Sequence, residues 1–217
     1  MATKEQMHYT ALGDSLTVGF GSSSGEGFVE KFRRRLEADT GAEIQSHNFG
    51  VNGATSLDIA KHVIENQQIQ EMLKVSKWIT ITAGGNDLLR AAEPYFRDGT
   101  TDALKKAIHS YRLHLQQLLH FILDLKRGRE SFDVFLLTIY NPIPYAEEAR
   151  IWVRRFNRPL KYLQSPYITV VPVHEAFGLK EEIEGLLCED YIHPNDSGYR
   201  LMEESLFQTY KQVTAKH

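Results

Sequence analysis

His8-Tyr9-Thr10-Ala11-Leu12-Gly13-Asp14-Ser15-Leu16-Thr17 is the stretch on which the fold turns. Its first half is rich in β-formers and reads as a strand. Its second half turns on Gly13 and Asp14, residue types that suit turns and caps, and presents a serine. A strand that feeds a helix through such a turn is the opening unit of an alternating α/β layout. The rest of the chain repeats the alternation. Phe28, Phe32 and Leu36 recur at helical spacing over Phe28 to Ala38, and Gly41 stops that helix. Glu43 to Phe49 reads as a weaker second strand. Leu57 to Glu65 reads as a helix capped by Ser56, and Gln68 to Leu73 as a short one. Trp78-Ile79-Thr80-Ile81-Thr82 is a clear third strand.

Ala103 to Lys126 carries Leu104, Ile108, Tyr111, Leu115, Leu118, Ile122 and Leu125 at three- and four-residue steps, which predicts a long helix ended by Gly128. Phe132 to Tyr140 is almost continuously apolar, as a strand buried on both faces should be. Ile168 to Val173 makes a fifth strand, and Asp196 to Val213 a closing helix capped by Asn195 or Asp196. Strands alternating with helices imply a parallel sheet covered on both faces. The chain of 217 residues shows no linker or repeat, so residues 1–217 are expected to form one domain.

Composition narrows the function. Hydrophobic residues at 42 % and charged residues at 24 % are the ordinary balance of a globular protein. A net charge of −3 gives no electrostatic case for nucleic acid, which calls for a clustered basic surface. The one basic run, Arg33-Arg34-Arg35, falls in a helix pattern and reads as a solvated face. One cysteine, Cys188, excludes an internal disulfide. Met1 to Met7 is polar and carries no signal-peptide pattern, and no apolar run is long enough to span a bilayer. A cytoplasmic protein without stable membrane insertion is therefore expected. Nothing in the sequence speaks to oligomeric state.

In parallel sheets, ligands bind beyond the carboxyl ends of the strands. Gly13-Asp14-Ser15, Gly50-Val51-Asn52-Gly53 and Gly84-Gly85-Asn86-Asp87 follow strands one, two and three, so all three should meet at that edge. A serine hydroxyl needs a base to become a nucleophile. Taken alone, the Ser15 turn serves equally well as a capped turn. Asp190-Tyr191-Ile192-His193-Pro194 supplies an imidazole, with a carboxylate three residues before it that can hold the ring in one tautomer. This segment lies between strand five and the closing helix. Acyl transfer also needs donors for an oxyanion: the N–H groups of Ser15 and Gly53 and the Asn86 amide can serve.

These four blocks, in this order, resemble the SGNH (or GDSL) hydrolase family: Gly13-Asp14-Ser15-Leu16, Gly53, Gly84-Gly85-Asn86-Asp87 and Asp190-Tyr191-Ile192-His193. The likeness runs from residue 8 to about 212. It implies a flavodoxin-like three-layer α/β/α sandwich around a five-stranded parallel sheet. It implies Ser15 as nucleophile, His193 as base and Asp190 as its orienter. Ser15, Gly53 and Asn86 would form the oxyanion hole, with no metal or organic cofactor. The family's short bacterial lipases and esterases, which include lipases tied to Bacillus spore germination, are the most similar in character. The implied activity is hydrolysis of carboxylic esters, extending to lysophospholipids. A sugar-ester deacetylase or thioesterase with the same triad is the alternative, and a non-catalytic flavodoxin-like binding module a more distant one.

Asp14 reads as a group that hydrogen-bonds backbone in the loops around Ser15, and Asp87 as loop support or a helix cap. Cys188 lacks the glycine turn of a nucleophile. His109 and His114 are five apart on a helix, on different faces, and no histidine pair has the one-turn spacing of a zinc site. Gly19 to Gly27 has the glycines of a phosphate loop but not its Lys-Ser/Thr ending, and reads as a mobile rim beside Ser15 or a plain loop. Asn141-Pro142-Ile143-Pro144-Tyr145 follows strand four and should line the mouth. Tyr140, Tyr145 and Trp152, with Ile151 and Phe156, are candidate acyl-chain contacts; a core-facing helix explains the last three as well.

Overall fold

The computed structural model describes residues 5–128, 131–179 and 183–215. Five strands form one sheet: β1 (Gln6–Gly13), β2 (Glu43–Gly50), β3 (Ser76–Ile81), β4 (Asp133–Leu137) and β5 (Ile168–Val171). Their order is β2-β1-β3-β4-β5, and every neighbouring pair is parallel. This is the flavodoxin-like order, with its reversal beside β1. The helices are α1 (Ser15–Val18), α2 (Phe28–Thr40), α3 (Ser56–Glu65), α4 (Gln67–Val75), α5 (Gly85–Asp98), α6 (Asp102–Leu125), α7 (Glu147–Asn157), α8 (Val173–Gly178) and α9 (Asp196–Thr214).

The two-residue period of the strands sorts the core into two layers. Leu12, Ile79, Ile81, Val134 and Leu136 pack one way, against Ile59 and Val63 of α3, Leu73 of α4, and Tyr111, Leu115 and Leu118 of α6. Tyr9, Ala11, Trp78, Phe135 and Val171 pack the other way, against Phe28, Phe32 and Leu36 of α2 and Tyr199, Met202 and Leu206 of α9. The three-layer α/β/α sandwich follows directly from that alternation. Arg33 pairs with Glu30 and Glu37 at helical spacing and Arg34 with Glu26, so the basic run is a paired surface of α2.

Several boundaries differ from the sequence expectation, each for a local reason. Thr55, not Ser56, caps α3: its hydroxyl accepts from the Asp58 amide while Asp58 reaches back to the Thr55 amide. Asn195 is the cap of α9. The segment after Gly84 is a helix, α5, although its Gly-Gly-Asn-Asp opening reads as a turn and Pro94 lies inside it. The strand expected to run to Tyr140 stops at Leu137. Asn157 of α7 takes over the Ile139 backbone, accepting from its N–H at 2.8 Å and donating to its carbonyl at 2.7 Å. Ile139 and Tyr140 thus leave the sheet and, with Pro142, line the cavity described below. Among the described residues, no helix is long and apolar enough to cross a membrane.

Candidate active site

Ser15 opens α1 directly after β1. Gly13 makes that turn possible: it has φ +154°, and a Cβ there would lie 2.2 Å from Thr82 Oγ1 and 2.5 Å from Thr17 Oγ1. Asp14 caps α1, its Oδ1 accepting from the Leu16 amide at 3.1 Å and from the Thr82 hydroxyl at 2.8 Å. Asp14 is only 3 % exposed. Burial pushes its pKa up, against the pull of Thr82, the Leu16 amide and the nearby His193. The sequence reading of Asp14 as a backbone-tethered group matches this placement.

His193 and Asp190 reach Ser15 from the opposite end of the chain. Ser15 Oγ lies 2.8 Å from His193 Nε2, and His193 Nδ1 lies 2.5 Å from Asp190 Oδ2. The carrying loop is a tight hairpin: Cys188 N–H donates to the His193 carbonyl, Tyr191 N–H to the Cys188 carbonyl, and Asn195 N–H to the Leu186 carbonyl. Tyr191 sits at φ 57°, a left-handed conformation unusual for a bulky residue. That kink brings the amides of Ile192 and His193 onto Asp190 Oδ1, each at 2.8 Å, and the Cys188 thiol donates to the same oxygen at 3.2 Å. Burial opposes ionisation of Asp190, but the His193 ring, these two amides and the thiol outweigh it and hold the carboxylate well below its ordinary range. Burial, with Asp190 beside it, pushes the Cys188 thiol up, which is the opposite of an activated nucleophile.

Two aromatic residues brace the imidazole loop. The Phe20 ring centroid lies 4.7 Å from that of His193, and the Phe20 carbonyl accepts from Tyr199 Oη at 2.6 Å. Tyr140 Oη donates to the Ile192 carbonyl at 2.5 Å. The serines of the glycine-rich segment, Ser22, Ser23 and Ser24, all donate to Asp196 at the head of α9, so this rim is tied to the His193 loop. Phe20, Tyr199 and the serine contacts carry no motif at sequence level.

The oxyanion candidates follow three different strands, β1, β2 and β3. Asn86 lies in the first turn of α5 and donates from Nδ2 to the Ala54 carbonyl at 2.9 Å, leaving its other amide proton. Gly53 has φ 74°, a conformation glycine reaches without strain. Among the described residues, neither the Ser15 nor the Gly53 N–H has an acceptor. Those are the donors a developing oxyanion requires.

A small cavity, open to solvent, lies beside Ser15 and His193. Asn86 lines it; Gly53 is not part of its wall. Its apolar lining is Leu88 and Leu89 of α5, Ile139 and Pro142 after β4, Val153 of α7 and Ile192. Of the three expected acyl contacts, Tyr140 lines the cavity. Tyr145 does not: it is 76 % exposed on the loop before α7. Trp152 does not either; it turns into the first core layer, and its neighbour Val153 faces the cavity. The helical period explains the exchange, since adjacent residues of α7 point to different sides. No group of three or more metal-ligating side chains occurs among the described residues.

The chain is similar in sequence and fold to known proteins. Residues 11–201 match the model of the GDSL-like Lipase/Acylhydrolase family. The chain is 36 % identical to the spore germination lipase LipC of Bacillus licheniformis, over 92 % of this chain and 94 % of that protein. The crystal structure of a lipase from a goat rumen metagenome is 34 % identical, with a TM-score of 0.88 over 94 % of this chain and 97 % of the other. An acetyl xylan esterase from Geobacillus stearothermophilus, at 20 % identity and a TM-score of 0.71 over 96 % of each chain, shares the fold. From β1 to the first turns of α9, this chain belongs to the GDSL-like lipase/acylhydrolase family.

Proposed function

We propose that this carboxylic ester hydrolase works through an acyl-enzyme on Ser15, with His193 as general base and Asp190 as its orienter. The observation that carries the reading is the continuous contact from Asp190 Oδ2 to His193 Nδ1 at 2.5 Å and from His193 Nε2 to Ser15 Oγ at 2.8 Å. An ionised Asp190 accepts only, so Nδ1 bears the proton and Nε2 offers its lone pair. His193 removes the Ser15 proton as Oγ attacks the ester carbonyl. The negative charge on the carbonyl oxygen is met by the N–H groups of Ser15 and Gly53 and by the Asn86 amide. The imidazolium then protonates the leaving alcohol, and the acyl group stays on Ser15. Water, activated by the same imidazole, releases the acid and restores the hydroxyl.

The apolar lining of the cavity supports an acyl chain as the group it accepts. That favours an esterase or lipase, extending to lysophospholipids, over a sugar-ester deacetylase. A lipase relative at 36 % identity supports the same side. A thioesterase would use the same groups in the same order. p-Nitrophenyl esters from C2 to C16 test the reading. Ser15→Ala is expected to lose about 10³-fold or more in kcat across the series. Full activity in that variant overturns the mechanism. A sharp optimum at C2, with no turnover of longer chains, favours the deacetylase. Labelling of wild type by a fluorophosphonate, abolished in Ser15→Ala, separates an enzyme from a binding module.

A further inference from the structure

Gly53 comes from the loop after β2 and Asn86 from the first turn of α5, after β3, and an oxyanion hole works only if their donors keep a fixed spacing. The structure carries a connection that fixes it. Ser56, the first residue of α3, is 1 % exposed. Its N–H donates to Asp87 Oδ2 at 2.8 Å, and its Oγ lies 2.6 Å from Asp87 Oδ1 and 2.9 Å from His114 Nδ1. The hydroxyl has one proton and the carboxylate only accepts, so that proton goes to Asp87. The second contact then runs the other way, with His114 Nδ1–H donating to Ser56 Oγ. Both oxygens of Asp87, the residue after Asn86, are thereby held on Ser56, three residues beyond Gly53.

Two shorter ties close the loop. Asn86 Nδ2 donates to the Ala54 carbonyl, and Arg90 donates to the Gly53 carbonyl, each at 2.9 Å. Asp87 also sits in the first turn of α5 and against the first amide of α3, so the positive ends of two helices meet on one negative side chain. His114 projects from α6, the long helix beneath both. Removing it leaves a buried hydroxyl short of a donor and frees the Ser56–Asp87 pair to shift. A displacement of about 1 Å at a reacting centre can cost on the order of 10²-fold in rate.

Resting on the hydrolase reading above, we propose that His114 is a positioning residue: through Ser56 and Asp87 it sets the spacing between the Gly53 and Asn86 donors. Its action is on transition-state stabilisation, not on ester binding. With p-nitrophenyl butyrate, His114→Leu and Ser56→Ala should lower kcat about 10-fold while KM stays within about twofold. His114→Asn, whose amide restores a donor near the Nδ1 position, should recover most of the loss. The sharper arm uses the Asn86→Ala background. There, with one donor already gone, His114→Leu should cost less than about twofold. A 10-fold loss in both backgrounds would mean a structural role elsewhere and overturns the proposal, as does wild-type kcat in both Ser56→Ala and His114→Leu. The Ser15→Ala control separates the two ideas: if it is inactive while His114→Leu is unimpaired, the hydrolase stands and the positioning role falls.

Discussion

Asp190 lies on an exposed hairpin with three hydrogen bonds on one carboxylate oxygen and the His193 ring on the other. Asp14 lies beneath the sheet edge, with the Leu16 amide and the Thr82 hydroxyl on one oxygen. Both act electrostatically on the same imidazole. The first is held well below the ordinary carboxylate range and the second is pushed above it. Donor count against burial makes the difference. Asp190 stays ionised across the working range and pins the ring. Asp14 costs the fold something whenever it is charged, and returns a negative field close to where an imidazolium forms.

The strongest way to break this contrast is Asp190→Asn. An amide at that position can donate to Nδ1, which puts the ring proton on Nε2 and leaves no lone pair for Ser15. The expected loss in kcat is about 10³- to 10⁴-fold on a chromogenic ester. A loss under about tenfold would mean that Asp14 substitutes for it, and the contrast would collapse.

Asp14→Asn is the counterpart, with an expected loss in kcat of about tenfold or less, because the acceptor to Leu16 and Thr82 survives and only the field is lost. Its stability effect has a definite sign. A carboxyl whose folded pKa is raised binds its proton more tightly in the folded state. Its penalty is full above the folded pKa and vanishes below the unfolded value of about 3.9. Melting temperatures of Asp14→Asn relative to wild type should therefore be most favourable near neutral pH and fall toward pH 4. A difference that does not change with pH refutes the burial account. Asp190 carries the opposite sign: its contribution is present above about pH 3.9 and is lost as pH falls further, toward its depressed folded value. The smallest effect is expected from Cys188→Ala, which removes one donor of four from Asp190. A two- to threefold loss in kcat is the scale of one weak hydrogen bond, and steady-state kinetics will read it.

The same residues show what the sequence reveals and what it hides. Strand alternation around Leu12, Ile81 and Leu136 is local and legible, so the sheet and its carboxyl edge follow from it. Ser15, Asn86, Asp190 and His193 are legible because turns and caps constrain their neighbours. The cavity wall is less so. Whether Trp152 or Val153 faces it depends on how α7 is rotated, and Asn157 sets that rotation by gripping Ile139. α5 hides behind a turn-like opening. His114 is hidden more deeply still: on a polar stripe of α6 it looks like any solvated histidine, until α3 and α5 fold over it.

Ser15 Oγ and His193 Nε2 meet across 178 positions of sequence. Their contact exists only when β1 is seated in the sheet and α9 is packed on α2. Under the proposed mechanism, a change that loosens α9 from α2 leaves Ser15 without its base, so activity reports on the integrity of the whole sandwich.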